Sequence, residues 1–389
     1  MSLSTANIKQ RQTLTPQKPI KVYLVCTGVG IINRGIETFA RECFDGLCST
    51  NGLHIELFKG AGEEKLDEHR LWNLPRNGRL APFLGQFIQR NSYVVEQLSS
   101  FLPFVQQIRR GRPDIIFYSD SNLGFQLYWW RKQIGVPYRL LFSNGGPCNP
   151  PFTRTDHIHQ VTPYYRELAL KAGEPATKHS MVPYGIQVPA GSPLCNPEER
   201  QRIRQQLGLP CDRPLILSVG WISAQHKRMD YTIQEIAALP EPRPHLVMLG
   251  HMDDASPPIL QLAREQLGAD GFTARSVPYQ EVTAYYQAAD IFVLGSLQEG
   301  FGRVYLEALI HGLPCVVNDH PIMRYVLGEE GTFADLSTPG SMSTVLKDLL
   351  QQPLDSESMM RRRESVRQRF SWESLAPAYL QMFHNCLSA

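Results

Sequence analysis

Two carboxylates eight residues apart, Glu299 and Glu307, bracket the turn Gly300-Phe301-Gly302 and the run Arg303-Val304-Tyr305-Leu306 behind it. Glycines let backbone N–H groups come close to phosphate oxygens, and a helix opening at such a turn adds partial positive charge. The flanking carboxylates can accept hydrogen bonds from sugar and ribose hydroxyls. The unit suits a sugar nucleotide, with anion and polyol held side by side. Two glutamates at this spacing would alone describe a solvated helix face. The string around them is what makes the pattern specific.

Three other segments could contribute chemistry. The first is Val219-Gly220-Trp221 with His226-Lys227-Arg228 downstream, which sets cations after an apolar run. A fork-shaped guanidinium can bind phosphate bidentately and stabilise a departing diphosphate. The second is Gly28-Val29-Gly30, which follows the apolar run Lys21 to Cys26. Asn33 stands where the third glycine of G-x-G-x-x-G belongs, so an NAD site is poorly supported. The third is Phe142-Ser143-Asn144-Gly145-Gly146-Pro147, where the Asn144 amide could orient a hydroxyl but could not exchange a proton near neutral pH. His157 and His159 lie on a further apolar run and lack the spacing of a zinc site, so structural or surface roles are expected of them.

These residues need two frameworks to position them. A chain of 389 residues exceeds the usual single-domain range. Ile55 to Phe58, Ile115 to Tyr118, Leu140 to Phe142 and His157 to Val161 alternate with helical patterns, as expected of a parallel sheet covered by helices. The turn-rich tract Gly191 to Pro197 marks a boundary. A second alternation follows, with strands at Leu215 to Val219, His245 to Leu249, Ile291 to Leu294 and Cys315 to Asn318 and helices around Met229 to Ala238, Ile259 to Leu267 and Val282 to Ala289. The reading is therefore α/β: a flexible tail over 1–19, Rossmann-like domains over 20–190 and 191–370, and an amphipathic helix over 371–389.

Formal charge is only +2, yet residues 1–190 hold 22 Lys/Arg against 14 Asp/Glu, and residues 191–389 hold 17 against 23. The basic half either faces an anion or is unevenly solvated; no compact Lys/Arg run suggests nucleic acid. Eight cysteines without a C-x-x-C pair fit reduced cytosolic thiols. No segment approaches the ~20 apolar residues of a membrane span, and residues 1–19 have no apolar core, so neither secretion nor spanning is expected.

The string from Glu299 through Glu307 and Ala308, completed by Gly312-Leu313-Pro314 and the run Cys315-Val316-Val317, resembles the acid-x7-acid signature of the retaining glycosyltransferases of family four, glycosyl transferases group 1. The resemblance implies the GT-B fold: two Rossmann-like domains facing across a cleft, with Phe370-Ser371-Trp372-Glu373 opening a C-terminal helix that crosses back to the first domain. It implies that Glu299 contacts the donor sugar, that Glu307 holds the ribose, and that Gly300, Phe301 and Gly302 border the diphosphate. Lys227 matches the family lysine. The arginine expected after Gly220 is replaced by Trp221, and Arg228 stands where a glycine is usual, so Arg228 is the candidate replacement guanidinium. Gly28, Gly30 and Gly35 with Ile36 and Glu37 resemble the glycine loop near donor phosphates and acceptor, Asn144 stands nearest to a histidine that many relatives carry, and Tyr184 in Val182-Pro183-Tyr184-Gly185 replaces a hinge asparagine.

The expected activity is transfer of a sugar from a nucleoside-diphosphate sugar to an acceptor hydroxyl with retention. Without an Asp-x-Asp triad, no metal and no bound cofactor are expected, since protein cations hold the diphosphate in this fold. The acceptor is a glycan, a lipid-linked molecule or a small molecule. The apolar segment Arg79 to Arg110 reads first as core or acceptor-site lining; because some relatives reach membrane-borne acceptors through this region, its second reading is peripheral lipid contact at the inner face of the membrane. The alternatives are a GT-B sugar-nucleotide epimerase or phosphorylase, and a non-catalytic sugar-nucleotide-binding protein.

Overall fold

A computed structural model of the chain describes residues 18–32, 34–189, 194–352 and 354–389. Residues 1–17 of the expected tail, Asn33 and the expected boundary at 190/191 lie outside the described residues.

Seven parallel strands form the first sheet: β1 Ile20–Cys26, β2 Leu53–Lys59, β3 Glu68–Arg70, β4 Ile115–Tyr118, β5 Arg139–Ser143, β6 His157–Gln160 and β7 His179–Met181, in the order β3-β2-β1-β4-β5-β6-β7. Six parallel strands form the second: β8 Leu215–Val219, β9 His245–Leu249, β10 Phe272–Arg275, β11 Ile291–Val293, β12 Cys315–Asn318 and β13 Gly331–Ala334, in the order β10-β9-β8-β11-β12-β13. This is the GT-B fold. In both sheets the strand order reverses beside the first strand, at β1/β4 and at β8/β11, and crevices for ligands open at the C-terminal ends of such strands.

The pleat of β1 shows why its apolar run is continuous. Val22 and Leu24 share one core with Phe39 of the helix Gly35–Leu47 and with Phe383, whereas Tyr23 and Val25 share another with Phe58, Phe104 and Ile108. Both faces are covered, so both need apolar side chains.

The helix Ser356–Phe370 belongs to the second domain, and Ser371 then caps the helix Trp372–Ser388 by accepting the Ser374 N–H at 3.2 Å. Trp372, Leu375, Tyr379, Met382, Phe383 and Cys386 are the buried side chains of that last helix. They face the first domain: Phe383 lies 5.9 Å from Phe117, and the Tyr379 hydroxyl donates to the Pro183 carbonyl at 3.0 Å. A fully buried side chain of this size contributes about 1.5–3 kcal/mol, so six dock the helix firmly. The chain thus crosses between domains twice, and the crossings touch through a β-bridge between Ile186 and Ser371.

The segment 79–110 divides. In the helix Phe101–Gly111, Phe101, Phe104, Val105 and Ile108 are buried, as core packing requires. Around the helix Leu80–Phe87 the apolar side chains face outwards instead, with Phe83 68% and Phe87 85% exposed.

Candidate active site

The second domain supplies an ion pair. Gly220 follows β8, and a Cβ there would stand 3.0–3.1 Å from Cγ, Cδ and Cε of Lys227; the missing side chain is where the lysine stem lies. Lys227 Nζ reaches 2.6 Å from Glu299 Oε1, and His226 Nε2 lies 3.5 Å from Oε2. Burial pushes the Glu299 carboxyl up, but the Lys227 ammonium and the contacts from His226 and Lys227 outweigh it and bring it down to about 2. Glu299 is therefore an ionised acceptor, 7% exposed, at the mouth of a glycine turn.

Gly302, at φ +79°, opens the helix Arg303–Ile310 in a conformation that favours glycine. Gly300 is one of the points at which the domains meet. A Cβ there would lie 2.6 Å from the Gly145 carbonyl oxygen and 3.3 Å from Pro147 Cδ, both in the first domain. Phe301 packs inwards against Tyr184 and Phe370, at 5.4 and 5.9 Å between centroids.

Glu307, one helix turn and more beyond, accepts hydrogen bonds from Tyr286 at 2.9 Å and from Tyr279 at 3.4 Å. Burial raises its carboxyl, against the Arg303 cation and the Tyr286 hydroxyl, which lower it. Phenolic hydroxyls thus occupy the carboxylate to which the sequence resemblance assigns the ribose.

Arg228 is half-buried, with one guanidinium nitrogen engaged by the protein. Its Nη1 donates to the carbonyls of Gly295 at 3.1 Å and Leu336 at 2.8 Å, and its guanidinium carbon lies 4.3 Å from the centre of the Tyr231 ring. Its backbone is left-handed, φ +48°, a conformation that favours glycine. Trp221 donates its indole N–H to Asp253 at 3.1 Å.

In the first domain, Gly28 lies against Glu37, whose Oε1 would be 2.3 Å from an added Cβ, and Gly30, at φ +82°, lies against the Ala61 carbonyl. Gly35 begins its helix with open space around it, and Ile36 approaches Gly146. Asn144 faces inwards rather than into the cleft. Its Nδ2 donates to Gln160 Oε1 at 3.0 Å and to the Cys148 carbonyl at 3.3 Å, and its Oδ1 accepts the Cys148 N–H at 2.7 Å. An amide spent in this way braces the loop after β5 and has no free group for a substrate. His157 and His159 are likewise internal: His157 meets Ser180, His159 meets Ser143 and the Val182 carbonyl, and burial lowers both to about 4. Among the described residues no three His, Cys, Asp or Glu side chains are grouped as metal ligands, and no helix is long and apolar enough to cross a membrane.

The structure therefore pairs Lys227 with Glu299 and sets the adjoining Gly300 against Gly145 and Pro147. It buries the Asn144 amide and engages one nitrogen of the half-buried Arg228. Several participants escaped the sequence reading. Asp120, just beyond β4, accepts from the Thr27 N–H and hydroxyl at 3.0 Å each and from Tyr93 at 2.7 Å, binding the end of β1 to the end of β4 under the glycine loop. Burial raises its carboxyl. Its only signal was an acid two residues after an apolar strand. Arg303 sits inside the string already quoted, yet its partner, Glu42, lies in the other domain. Nothing in the sequence joins them.

A family model described as glycosyl transferases group 1 matches residues 199–369. Mannosylfructose-phosphate synthase of Agrobacterium fabrum is 29% identical over 241 residues, 58% of this chain and 52% of that protein. The chain spans about half the length of the curated relatives it matches. Sucrose-phosphate synthase from Thermosynechococcus elongatus superposes with a TM-score of 0.73 at 18% identity, covering 96% of this chain and 100% of that one. Anabaena HepE in complex with UDP and glucose superposes with a TM-score of 0.70 at 14% identity, covering 94% and 99%. At these identities the superpositions speak for the fold.

Proposed function

We propose that this chain belongs to the glycosyl transferases group 1 family and transfers a glycosyl unit from a nucleoside-diphosphate sugar to an acceptor hydroxyl with retention of configuration and without a metal. The observation that carries the reading is the Lys227–Glu299 pair at 2.6 Å beside a glycine turn that abuts the first domain. Donor binding exchanges that pair for two new ones. Lys227 turns to the diphosphate, Glu299 accepts the sugar hydroxyls, and the N–H groups of Gly300 to Gly302 face the phosphate oxygens. Glu307 exchanges its tyrosine hydroxyls for those of ribose.

In the reaction the bond from the anomeric carbon to the β-phosphate oxygen breaks while the acceptor oxygen bonds to that carbon from the same face. The acceptor proton passes to the released phosphate. A lysine placed on the diphosphate is worth most as the leaving charge grows, and closure of the two domains excludes the water that would hydrolyse the donor. The acceptor lies on the side of the first domain. The outward-facing Phe83 and Phe87, with Arg79 and Arg90 at either end of that segment, suit a lipid-linked acceptor approached at a membrane surface.

A thermal-shift panel of UDP, GDP, ADP and their sugars tests the donor, since a specific ligand stabilises the native state by mass action. NMR of the product then reads the anomeric configuration, and turnover that survives EDTA is expected. A donor lost only after chelation would remove metal independence. Arg228 bound to carbonyls and Trp221 in the usual arginine position favour a second reading, a sugar-nucleotide sensor. Tight nucleotide binding with no transfer to any acceptor would select it.

A further inference from the structure

The loop that meets Gly300 continues past Pro147 over the C-terminal ends of β4 and β5. With the helix Ser121–Trp129 it encloses a cavity of about 260 Å³. The walls are aromatic: Tyr118 and Phe142 lie 5.6 Å apart between centroids, Phe142 and Phe152 6.4 Å, and Phe125 closes one side. Arg154 stands at the mouth. Its guanidinium carbon lies 5.0 Å from the Phe125 centroid and 5.5 Å from that of Trp129, so two rings orient the cation without using its N–H groups. The nearby Arg131 spends its fork on Asp156, at 2.6 and 3.1 Å. Arg154 makes no hydrogen bond and no ion pair among the described residues.

We infer that this cavity is an acceptor subsite that takes a single-ring moiety bearing a phosphate or carboxylate, with the anion on Arg154. The inference rests on the transferase reading given above. Three features carry it. The cavity lies at the strand ends where open parallel sheets bind ligands, and one loop forms both its wall and the contact with the glycine turn. Its volume suits one ring and is below the roughly 300–1,000 Å³ of pockets that hold a whole drug-sized ligand. Aromatic walls match the C–H faces of a sugar or cyclitol, while an oriented, unpaired guanidinium asks for a bidentate anion. No donor contact proposed above uses it.

Calorimetry on the full chain tests this with hexose 6-phosphates, hexuronates and the uncharged parent hexoses as probes, and with UDP and GDP as controls. An anionic sugar is expected to bind while its parent hexose does not. Arg154→Ala should weaken it about tenfold or more, Arg154→Lys should recover part of the loss, and Phe125→Ala should weaken it as well. Nucleotide affinity should not move in any variant. The bound sugar should slow alkylation of Cys148, which lines the cavity, and leave Cys48 and Cys211, exposed elsewhere, unchanged. The preference between phosphates and carboxylates identifies the anion. Failure of every anionic sugar to bind the wild type, or equal binding by Arg154→Ala, overturns the inference. If the nucleotides also fail to bind, it is the donor reading that falls.

Discussion

Arg303 of the second domain places its Nη2 2.9 Å from Oε2 of Glu42 in the first, with the two side chains only 7% and 10% exposed. Its Nη1 donates to the Gly185 carbonyl at 2.6 Å, and Glu42 also accepts the Gln187 N–H at 3.1 Å. One buried pair thus joins both domains and the segment between them. Removing one partner strands the other charge, which costs about 3–5 kcal/mol. Glu42→Ala should therefore lower the free energy of urea unfolding by roughly 3 kcal/mol. A change below about 1 kcal/mol, the range of an exposed pair, would contradict the burial described here.

Gly300→Ala should act on closure and not on folding. Its Cβ would meet the Gly145 carbonyl at 2.6 Å, and the clash is relieved if the domains part. The expected result is a nucleotide affinity within about twofold of wild type and transfer slowed about tenfold or more, because misplacement by an ångström is costly. Unchanged turnover would mean that this contact does not accompany catalysis.

Arg228→Ala should cost about 1–2 kcal/mol of stability, by loss of charged hydrogen bonds to two carbonyls, and should change nucleotide affinity little. Arg228→Gly should recover some of the loss, since the residue sits at φ +48°. A tenfold or larger fall in nucleotide affinity, measured by calorimetry, would instead make this guanidinium a phosphate ligand.

Two acid limbs should separate. His157 and His159 are held near 4 when folded, below the ordinary histidine value of about 6.5, so the unfolded chain binds more protons between those limits. Stability should fall as pH drops from about 6.5 to 4. His159→Asn should make that slope shallower by one proton. Glu299, held near 2, is depressed below an ordinary glutamate, so its contribution is full above about 4.5 and is lost as pH falls towards 2. Glu299→Gln should flatten this lower limb and, on the role proposed for Glu299, reduce transfer by about a hundredfold or more. Urea midpoints across pH give both slopes.

Vesicle co-sedimentation checks the outward-facing segment around Leu80–Phe87. Binding to anionic vesicles that falls with salt and is lost in Phe83→Ser/Phe87→Ser is expected. Equal recovery of wild type and variant in the supernatant would remove the membrane from the proposal.

What could be read from sequence was what lies inside the sheets. β1, β2, β4, β5, β8, β9 and β12 are buried runs of apolar residues and show as such. β3, β7, β10 and β13 were not anticipated, and each is an edge strand. Glu68-His69-Arg70 carries charge, and β10 and β13 are half-buried throughout, so neither periodicity nor hydrophobicity marks them. The site divides in the same way. Lys227, Glu299 and the glycine turn are local strings, and the structure sets the lysine and the carboxylate of those strings side by side. Asn144 and Arg228 were read as polar groups near the right strand ends, but the direction of a side chain depends on what else competes for it. Here that was Gln160 and the nearby Cys148 for Asn144 and two distant carbonyls for Arg228, and only Cys148 is close in sequence.

The two crossings between domains touch at Ile186 and Ser371, and the Trp372 ring is seated where side chains on Gly46 and Gly185 would otherwise be. Two strands of chain fastened at one point behave like a pinned axle. The halves can swing about it, but they cannot slide past each other or swivel freely, as they could on a single tether. Opening and closing should therefore follow one arc that returns Glu299 to the same loop each time, and clipping the tail before Trp372 should cost alignment more than it costs grip on the nucleotide.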